Sequence, residues 1–378
     1  MSESKPIGGK IVTKPFLVCA LFVAIAGFLI IKRYIFGIGA VSNLSDGYPW
    51  GIWIAYDVVV GTAFACGGYS MALLVYILNK GEYHPLVKPA LLASMFGYTL
   101  AGASIFIDIG RYWQAYNLFL PWHSQLNSVM FEVALCVSLY IFILWLEYSP
   151  TLAEWINAKG LKQTLDRIMF IVIAIGVLLP TMHQSSLGGL MIIAGHKLSP
   201  LWQTGFIPLM FLISAITMGF SIVIFESIVS SVAFNREIET PILSKIAGLI
   251  PPLIGLYLII RFGDLIFRGK IGLAFAFDLK SIMFLIEKAL YIIPLVILSA
   301  VKNRERTQKL FVSAVSMLLA GAVYRFNAFL IGFDPGTGWQ YFPSFSEIMI
   351  TLGVIAIEIM AYLVFVKKMP VLPVIKHA

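Results

Sequence analysis

The chain has 378 residues, 60% of them hydrophobic and only 12% charged, with a formal net charge of +8. A mean hydropathy of +0.91 lies far outside the range of a soluble globular domain, so the length counts membrane spans rather than soluble domains. Three cysteines (Cys19, Cys66 and Cys136) with no CxxC spacing argue against an iron–sulfur cluster, a zinc knuckle or a disulfide framework, and no metal site is expected.

A helix needs about 20 apolar residues to cross a bilayer. Ten segments qualify, at 15–33, 51–79, 87–110, 126–147, 166–186, 204–230, 241–266, 281–300, 309–331 and 346–366. The fold class is therefore all-α, a polytopic membrane protein with about ten transmembrane helices. Lys5, Lys10 and Lys14 before the first segment resemble the start of a signal peptide. The apolar run is long, however, and Lys32–Arg33 closes it with no clear cleavage site, so an anchor helix is favoured. Connections on the side of the N-terminus carry most of the lysines and arginines. In a chain this apolar they set topology rather than bind nucleic acid, and no nucleic-acid partner is expected. Both ends, 1–14 and 367–378, are placed in the cytoplasm of a bacterial cell whose inner membrane the chain crosses. Trp50, Trp53, Trp113, Trp122, Trp202 and Trp339, six of the eight tryptophans, fall at the other interface. An aromatic belt accounts for some of that, and so does a docking face for a partner.

An internal repeat organises the spans. The third ends on Asp108-Ile-Gly-Arg111 and the seventh on Arg261-Phe-Gly-Asp264, the charges exchanged. The following spans open at the same offset with Ser128-Val-Met-Phe131 and Ser281-Ile-Met-Phe284, each followed by an acid, Glu132 and Glu287. An even number of spans separates the copies, so they run in the same direction. The reading is two parallel-repeat four-helix units, 51–186 and 204–331, flanked by a first helix at 15–33 and a last at 346–366.

Ionisable side chains inside a bilayer are costly and mark functional sites by default. Asp57, Asp108, Glu132 and His183 fall in the outer half of the first unit, with Arg111 as their one cationic neighbour. Arg261, Asp264, Glu287, Arg325 and Asn327 fall in the outer half of the second, where acids and bases balance. Structural ion pairs such as Asp264 with Arg325 are the plain reading there. The surplus of acid in the first unit suits proton exchange with a reactant instead. Glu358, mid-span, and Glu226, towards the inner end of its span, extend a possible inner proton path. Pro180-Thr-Met-His-Gln-Ser-Ser186 reads as a helix end lining a cavity, because proline removes a helical hydrogen bond. His84, His123, His196 and His377 lie in connections or the tail, which leaves His183 without a second axial ligand, so no haem is expected. No phosphate loop, HExxH or nucleophile elbow is present.

These residues resemble the NrfD-like, or polysulfide reductase membrane subunit, family, and within it the HybB-type membrane subunits of [NiFe]-hydrogenase-2. The likeness rests on Gly47 to Asp57 (GYPWGIWIAYD), His84 to Ser94 (HPLVKPALLAS) and Ile107 to Trp113 (IDIGRYW). Further passages are Asn127 to Glu132 (NSVMFE), Leu179 to Ser186 (LPTMHQSS) and Met218 to Glu226 (MGFSIVIFE), so it spans essentially the whole chain. The resemblance implies a subunit without redox metal that binds menaquinone or ubiquinone. Its implied partners are a periplasmic iron–sulfur ferredoxin-like subunit and the small and large [NiFe]-hydrogenase subunits, with no activity expected of the chain alone. Glu132 matches the family's quinone-side acid, and His183 becomes a head-group or proton-relay partner. Asp57, Asp108 and Arg111 are placed in the same quinone pocket from depth and charge.

Reduction of a quinone takes two electrons and two protons. Electrons tunnel, whereas protons need titratable groups or water. A parallel-repeat secondary transporter and a purely structural membrane anchor are the rival readings. The first needs no partner, and the second tolerates neutralisation of the acids.

Overall fold

In the computed structural model, which describes residues 4–373, ten helices are long and apolar enough to cross a membrane, and no strand occurs among the described residues. They are α1 (Lys14–Phe36), α2 (Trp53–Ile77), α3 (Gly81–Asp108), α4 (Val129–Trp155) and α5 (Lys159–Lys197). The others are α6 (Ile207–Ala233), α7 (Thr240–Phe267), α8 (Leu279–Ser299), α9 (Thr307–Ile331) and α10 (Phe345–Lys368). The tail at 367–378 is described only as far as Pro373, and His377 lies outside the described residues. Ile7 N–H donates to Val366 O at 3.2 Å and Gly8 N–H to Lys367 O at 3.0 Å, so the start of the chain lies beside the end of α10. This is the near end of the bundle; the far end is opposite.

α2 to α5 pack in cyclic order into one ring, and α6 to α9 into a second. Corresponding helices run in the same direction, as a parallel repeat requires. The rings meet chiefly where α2 and α5 pack on α6, while α1 pairs with α10, which lies against α3 and the start of α2. Without a hydrophobic drive between helices in lipid, small residues set how closely backbones approach. A Cβ on Gly219 of α6 would meet Ser70 Oγ of α2 at 2.0 Å, and one on Gly353 of α10 would meet Ala26 Cβ of α1 at 2.1 Å.

α2 is wound unevenly. Widened π-type turns at Trp53–Val58 and Leu73–Ile77 flank short α-helical pieces at Gly61–Phe64 and Gly67–Ala72. α5, by contrast, runs as α-helix from Lys159 through Ala194, past the expected boundary at 186. Pro180 is therefore inside a helix and not at its end, which corrects the reading from the motif. Thr181 Oγ1 donates to Val177 O at 2.8 Å and Ser185 Oγ to Thr181 O at 3.0 Å, so hydroxyls bond back to the backbone beside the proline, whose missing N–H costs the Gly176 carbonyl its helical donor. Arg33 has a structural task beyond closing the first span. Its Nε donates to Ile107 O at 2.8 Å and its Nη2 to Ile109 O, capping the orphan carbonyls at the end of α3.

The second ring is held by a buried charge network. Glu287 of α8, fully buried, accepts from Trp202 Nε1 at 2.9 Å, Tyr257 OH at 2.9 Å and Asn327 Nδ2 at 2.8 Å, and pairs with Lys288 Nζ. Lys288 in turn lies 4.7 Å from the ring centre of Phe284 and 4.8 Å from that of Tyr257. Arg261 donates to Leu201 O at 3.1 Å and sits over the Tyr324 ring. The expected Asp264–Arg325 pair does not form. Asp264 takes Arg268 one turn along its own helix at 2.5 Å, and Arg325 points the other way, into the junction between the rings. Helical spacing brings Arg268 to Asp264 at no cost in distance, and sequence depth alone does not say which face of α9 carries Arg325.

Removing one member of a buried ion pair leaves the other uncompensated, at about 3–5 kcal/mol. Glu287→Gln is expected to lower the yield of folded subunit in membranes and its thermal midpoint in detergent. Asp264→Asn is expected to cost about 1 kcal/mol or less, because Arg268 keeps partial exposure and the Pro200 carbonyl at 3.2 Å. Equal midpoints for Glu287→Gln and wild type would refute the assignment of this network as the ring's main polar tie.

Candidate functional site

At the junction of the rings a continuous polar chain is built from five helices. α5 supplies His183 and Gln184, both fully buried, α3 supplies Tyr98, α2 supplies Thr62 and Cys66, α6 supplies Ser214 and α9 supplies Arg325. His183 Nδ1 lies 3.3 Å from Leu179 O, and a carbonyl can only accept, so Nδ1 carries the proton. Nε2 is then the acceptor, 3.1 Å from Tyr98 OH and 3.0 Å from Gln184 Nε2. Gln184 Nε2 also donates to Thr62 Oγ1 at 3.1 Å, and Gln184 Oε1 accepts from Arg325 Nη2 at 3.1 Å. Tyr98 OH is 3.7 Å from Cys66 Sγ, and its ring stands edge-on to Tyr140 at 4.5 Å.

Arg325 has no carboxylate partner among the described residues. Its Nη1 donates to Ser214 Oγ at 3.0 Å and Met218 Sδ at 3.3 Å, and its Nη2 also reaches Phe211 O at 3.3 Å. Its guanidinium lies 5.0 Å from the Phe211 ring centre, and Nε is left unpartnered.

The residues expected around one pocket occupy separate places. Glu132, half-buried in the first turn of α4, accepts from Ser186 Oγ at 2.8 Å. Ser186 lies about one turn beyond His183 on α5, so Glu132 stands at the far end of the His183 chain without touching it. Asp108 closes α3 with Oδ1 buried and unpartnered. Arg111 is exposed in the connection beyond α3 and belongs to no buried cluster, which removes it from the expected pocket. The chain turns out of the helix after Asp108, so the cation follows the loop outward.

Asp57 alone of the five faces a large cavity. A cavity of about 570 Å³ is lined by α2, α3, α6, α9 and α10, and that lining is mostly apolar. Asp57, Glu358 and Glu226 mark its wall at far, middle and near depths, together with Tyr56 and Tyr362. Tyr362 OH donates to Glu226. Asp57 Oδ2 is 3.4 Å from Thr351 Oγ1 of α10, and Oδ1 has no partner. Glu226 also borders a small hollow at the near end that contains Arg236 and Glu239. Inspection of charges alone missed Tyr98, Gln184 and Thr62. Gln184 sits inside the proline motif, whereas a tyrosine in an apolar span gives no signal of its role.

Three relatives frame the site. A probable Ni/Fe-hydrogenase 2 b-type cytochrome subunit of Escherichia coli (strain K12) is 48% identical over 99% of this chain and 96% of its own. A Nitratidesulfovibrio vulgaris protein is 32% identical over 96% of this chain and 94% of its own. The integral membrane subunit of menaquinone reductase from the same organism is 28% identical over 60% of this chain and 56% of its own. The first name overturns the expectation of a haem-free chain, since a b-type cytochrome subunit implies haem. The ligand argument failed because counting histidines within predicted spans is only an indirect guide to a cofactor. Both nitrogens of His183 already face protein groups, and His196 is exposed at the far end, so the described residues offer no ready axial pair. The polysulphide reductase, NrfD, family model matches residues 40–333, which cover both rings, and the chain is a member of that family.

Proposed function

We propose that the chain is the quinone-reactive membrane subunit of a respiratory [NiFe]-hydrogenase complex. It passes electrons between an iron–sulfur ferredoxin-like subunit, fed by the small and large hydrogenase subunits, and the menaquinone or ubiquinone pool. The names of the hydrogenase and menaquinone reductase relatives support that reading. So does the imbalance of lysine and arginine, which puts the near end in the cytoplasm and the far end outside the inner membrane.

The observation that carries the proposal is the buried chain from Arg325 through Gln184 to His183 and Tyr98, with the Glu132–Ser186 bond one turn away. Each quinone reduced to quinol takes up two electrons from the iron–sulfur protein and two protons. Glu132, half-buried at the far end, is the relay's exchangeable acid. His183 offers an acceptor nitrogen beside a phenol, so a proton passed to Nε2 is held while Nδ1–H stays bonded to the Leu179 carbonyl, and it is returned through Tyr98. The chain lies on the faces of α2 and α3 opposite the cavity: Thr62 and Cys66 turn to Gln184 and Tyr98, while Gly61, Ala65 and Gly97 line the cavity. Glu226 and Glu358 supply an inner proton path from the near end.

Glu132→Gln keeps size and hydrogen bonding but ends proton exchange. Quinone-linked hydrogen oxidation is expected to fall about a hundredfold, the usual scale for a lost general acid–base group. Reduction of a soluble dye, which takes electrons upstream, should hold its wild-type rate at equal complex content. Unchanged quinone-linked turnover would favour a structural anchor instead.

Topology is checked independently with reporter fusions. A reporter after Ala378 should be active only as a cytoplasmic marker, and one inserted within 332–345 only as an external one. The reverse pattern would invert the assignment of far and near ends.

A further inference from the structure

The near end of α6 stops in a way that sets a cation beside a membrane acid. Asn235 takes the left-handed conformation with φ 50°, and Arg236 N–H donates back to Ser231 O at 2.8 Å, a wrap that ends many helices. Arg236 is thereby held half-buried against a hollow of about 20 Å³ that Glu226, Ser227, Ser230 and Glu239 also line. That is room for roughly one water, and these walls offer the polar partners a buried water needs. Glu226 and Ser230 line the large cavity too, so the hollow adjoins it through the acid. Leu372 and Pro373, from the segment that follows α10, form another part of the hollow's wall.

That segment is docked by few bonds. Pro370 cannot continue α10, and the chain beyond it turns back onto the bundle, with Val371 fully buried and Leu372 4% exposed. Lys5 N–H donates to Leu372 O at 3.3 Å, Ser4 and Pro373 form an antiparallel bridge, and Arg236 Nη2 donates to Pro373 O. Short terminal segments held in this way open locally at low cost, well before the bundle does. A proton path that stayed open to the near end would pass protons without turnover, so its mouth has to be shut most of the time. We propose that Met369–Pro373 is a gate over the hollow beside Glu226. Closed, it seals the one-water hollow from the aqueous side; lifted, it lets water reach the acid. Arg236 is the latch, a positioning residue that acts through the Pro373 carbonyl and carries no proton itself. The gate rests on the inner path assigned above to Glu226 and Glu358, and adds the element that controls entry to it.

The test uses the full complex in lipid nanodiscs, where both faces meet the buffer, with Ser230→Cys as reporter. A charged methanethiosulfonate is the probe, and modification at position 230 is timed by peptide mass spectrometry. Ending the chain at Lys368 should speed modification about tenfold, equivalent to ~1.4 kcal/mol of lost closure. Ending it at Pro373, which keeps the gate, should leave the full-length rate, and Arg236→Gln should raise it. Equal rates for the Lys368 and Pro373 ends would overturn the gate. A second variant keeps the chain length intact. Residues paired across an antiparallel bridge have Cα atoms about 4.5–5.5 Å apart, within the span of a disulfide. Ser4→Cys with Pro373→Cys should therefore lock the segment on oxidation. Quinone-linked hydrogen oxidation should then fall severalfold and return on reduction, with dye reduction constant throughout. Undiminished turnover in the locked complex would show a fixed plug and refute gating. Glu226→Gln reports separately on the path beneath. A wild-type quinone-linked rate in that variant would sink the inner path and the gate's task with it. A slowed rate there, with modification indifferent to the tail, would sink the gate and leave the path.

Discussion

Arg325 is a permanent cation deep in an apolar bundle with no carboxylate to meet it, and much of the central geometry follows from how it is satisfied. Guanidinium cannot shed its proton at any accessible pH, so its donors must find acceptors where water is scarce. It finds them on three helices: Gln184 of α5, Ser214 and the Phe211 carbonyl of α6, and the Gly321 carbonyl of its own helix. The two rings are tied at that point. Gln184 then has no freedom left. Its oxygen faces Arg325, so its amide nitrogen must donate, to Thr62 and to His183, and that fixes His183 as an acceptor at Nε2. The protonation pattern of the histidine is thus set by a cation on the other ring, through one side-chain amide.

The two rings share an architecture and use their charges differently. In the second, Glu287 gathers four donors and Lys288 lies among aromatic faces, while Arg261 keeps Nε and Nη2 unpartnered and Arg325 turns out of the ring. In the first, Asp57 and Asp108 each keep an unpartnered buried oxygen, and Glu132 holds a single hydroxyl. A satisfied buried network rigidifies, whereas an unsatisfied acid holds free energy that a ligand or a proton can recover. The repeat therefore leaves unpartnered carboxylate oxygens in the first ring and unpartnered guanidinium nitrogens in the second.

The spans and the parallel repeat were legible because each rests on a property of many residues at once: twenty apolar positions in a row, or two motifs at one offset. Pairings were not, because they depend on which face of a helix a single side chain leaves from. Asp264 was paired with Arg325 from depth, but it takes Arg268 one turn along, and the rotation of α9 carries Arg325 to the other ring. Pro180 misled for a related reason. Alone it ends a helix, yet α5 runs through it to Ala194, with hydroxyls at 181 and 185 bonded back to the backbone. Arg111 was placed by depth and charge, yet the helix stops at Asp108 and the cation turns outward. The haem expectation failed at a different level, since the name carried by the 48% relative outweighs a count of histidines.

The outermost pair of helices explains how the acids of the cavity are tolerated. A carboxylate facing lipid at mid-membrane costs roughly 2.5–3.5 kcal/mol or more, which is why such residues turn inward. α2 and α6 carry Asp57 and Glu226 on the wall of a cavity that α3 and α9 also line. α10 completes that wall. Thr351 meets Asp57, Tyr362 donates to Glu226, and Glu358 adds a third acid midway between them. α10 in turn lies in close contact with α1 through Gly353 against Ala26, and Arg33 pins α1 to the end of α3. The first and last helices are therefore more than anchors around a finished bundle. Together they set a third acid on the cavity wall and give each of the other two a hydroxyl partner. In doing so they make that space polar at three depths and apolar between them.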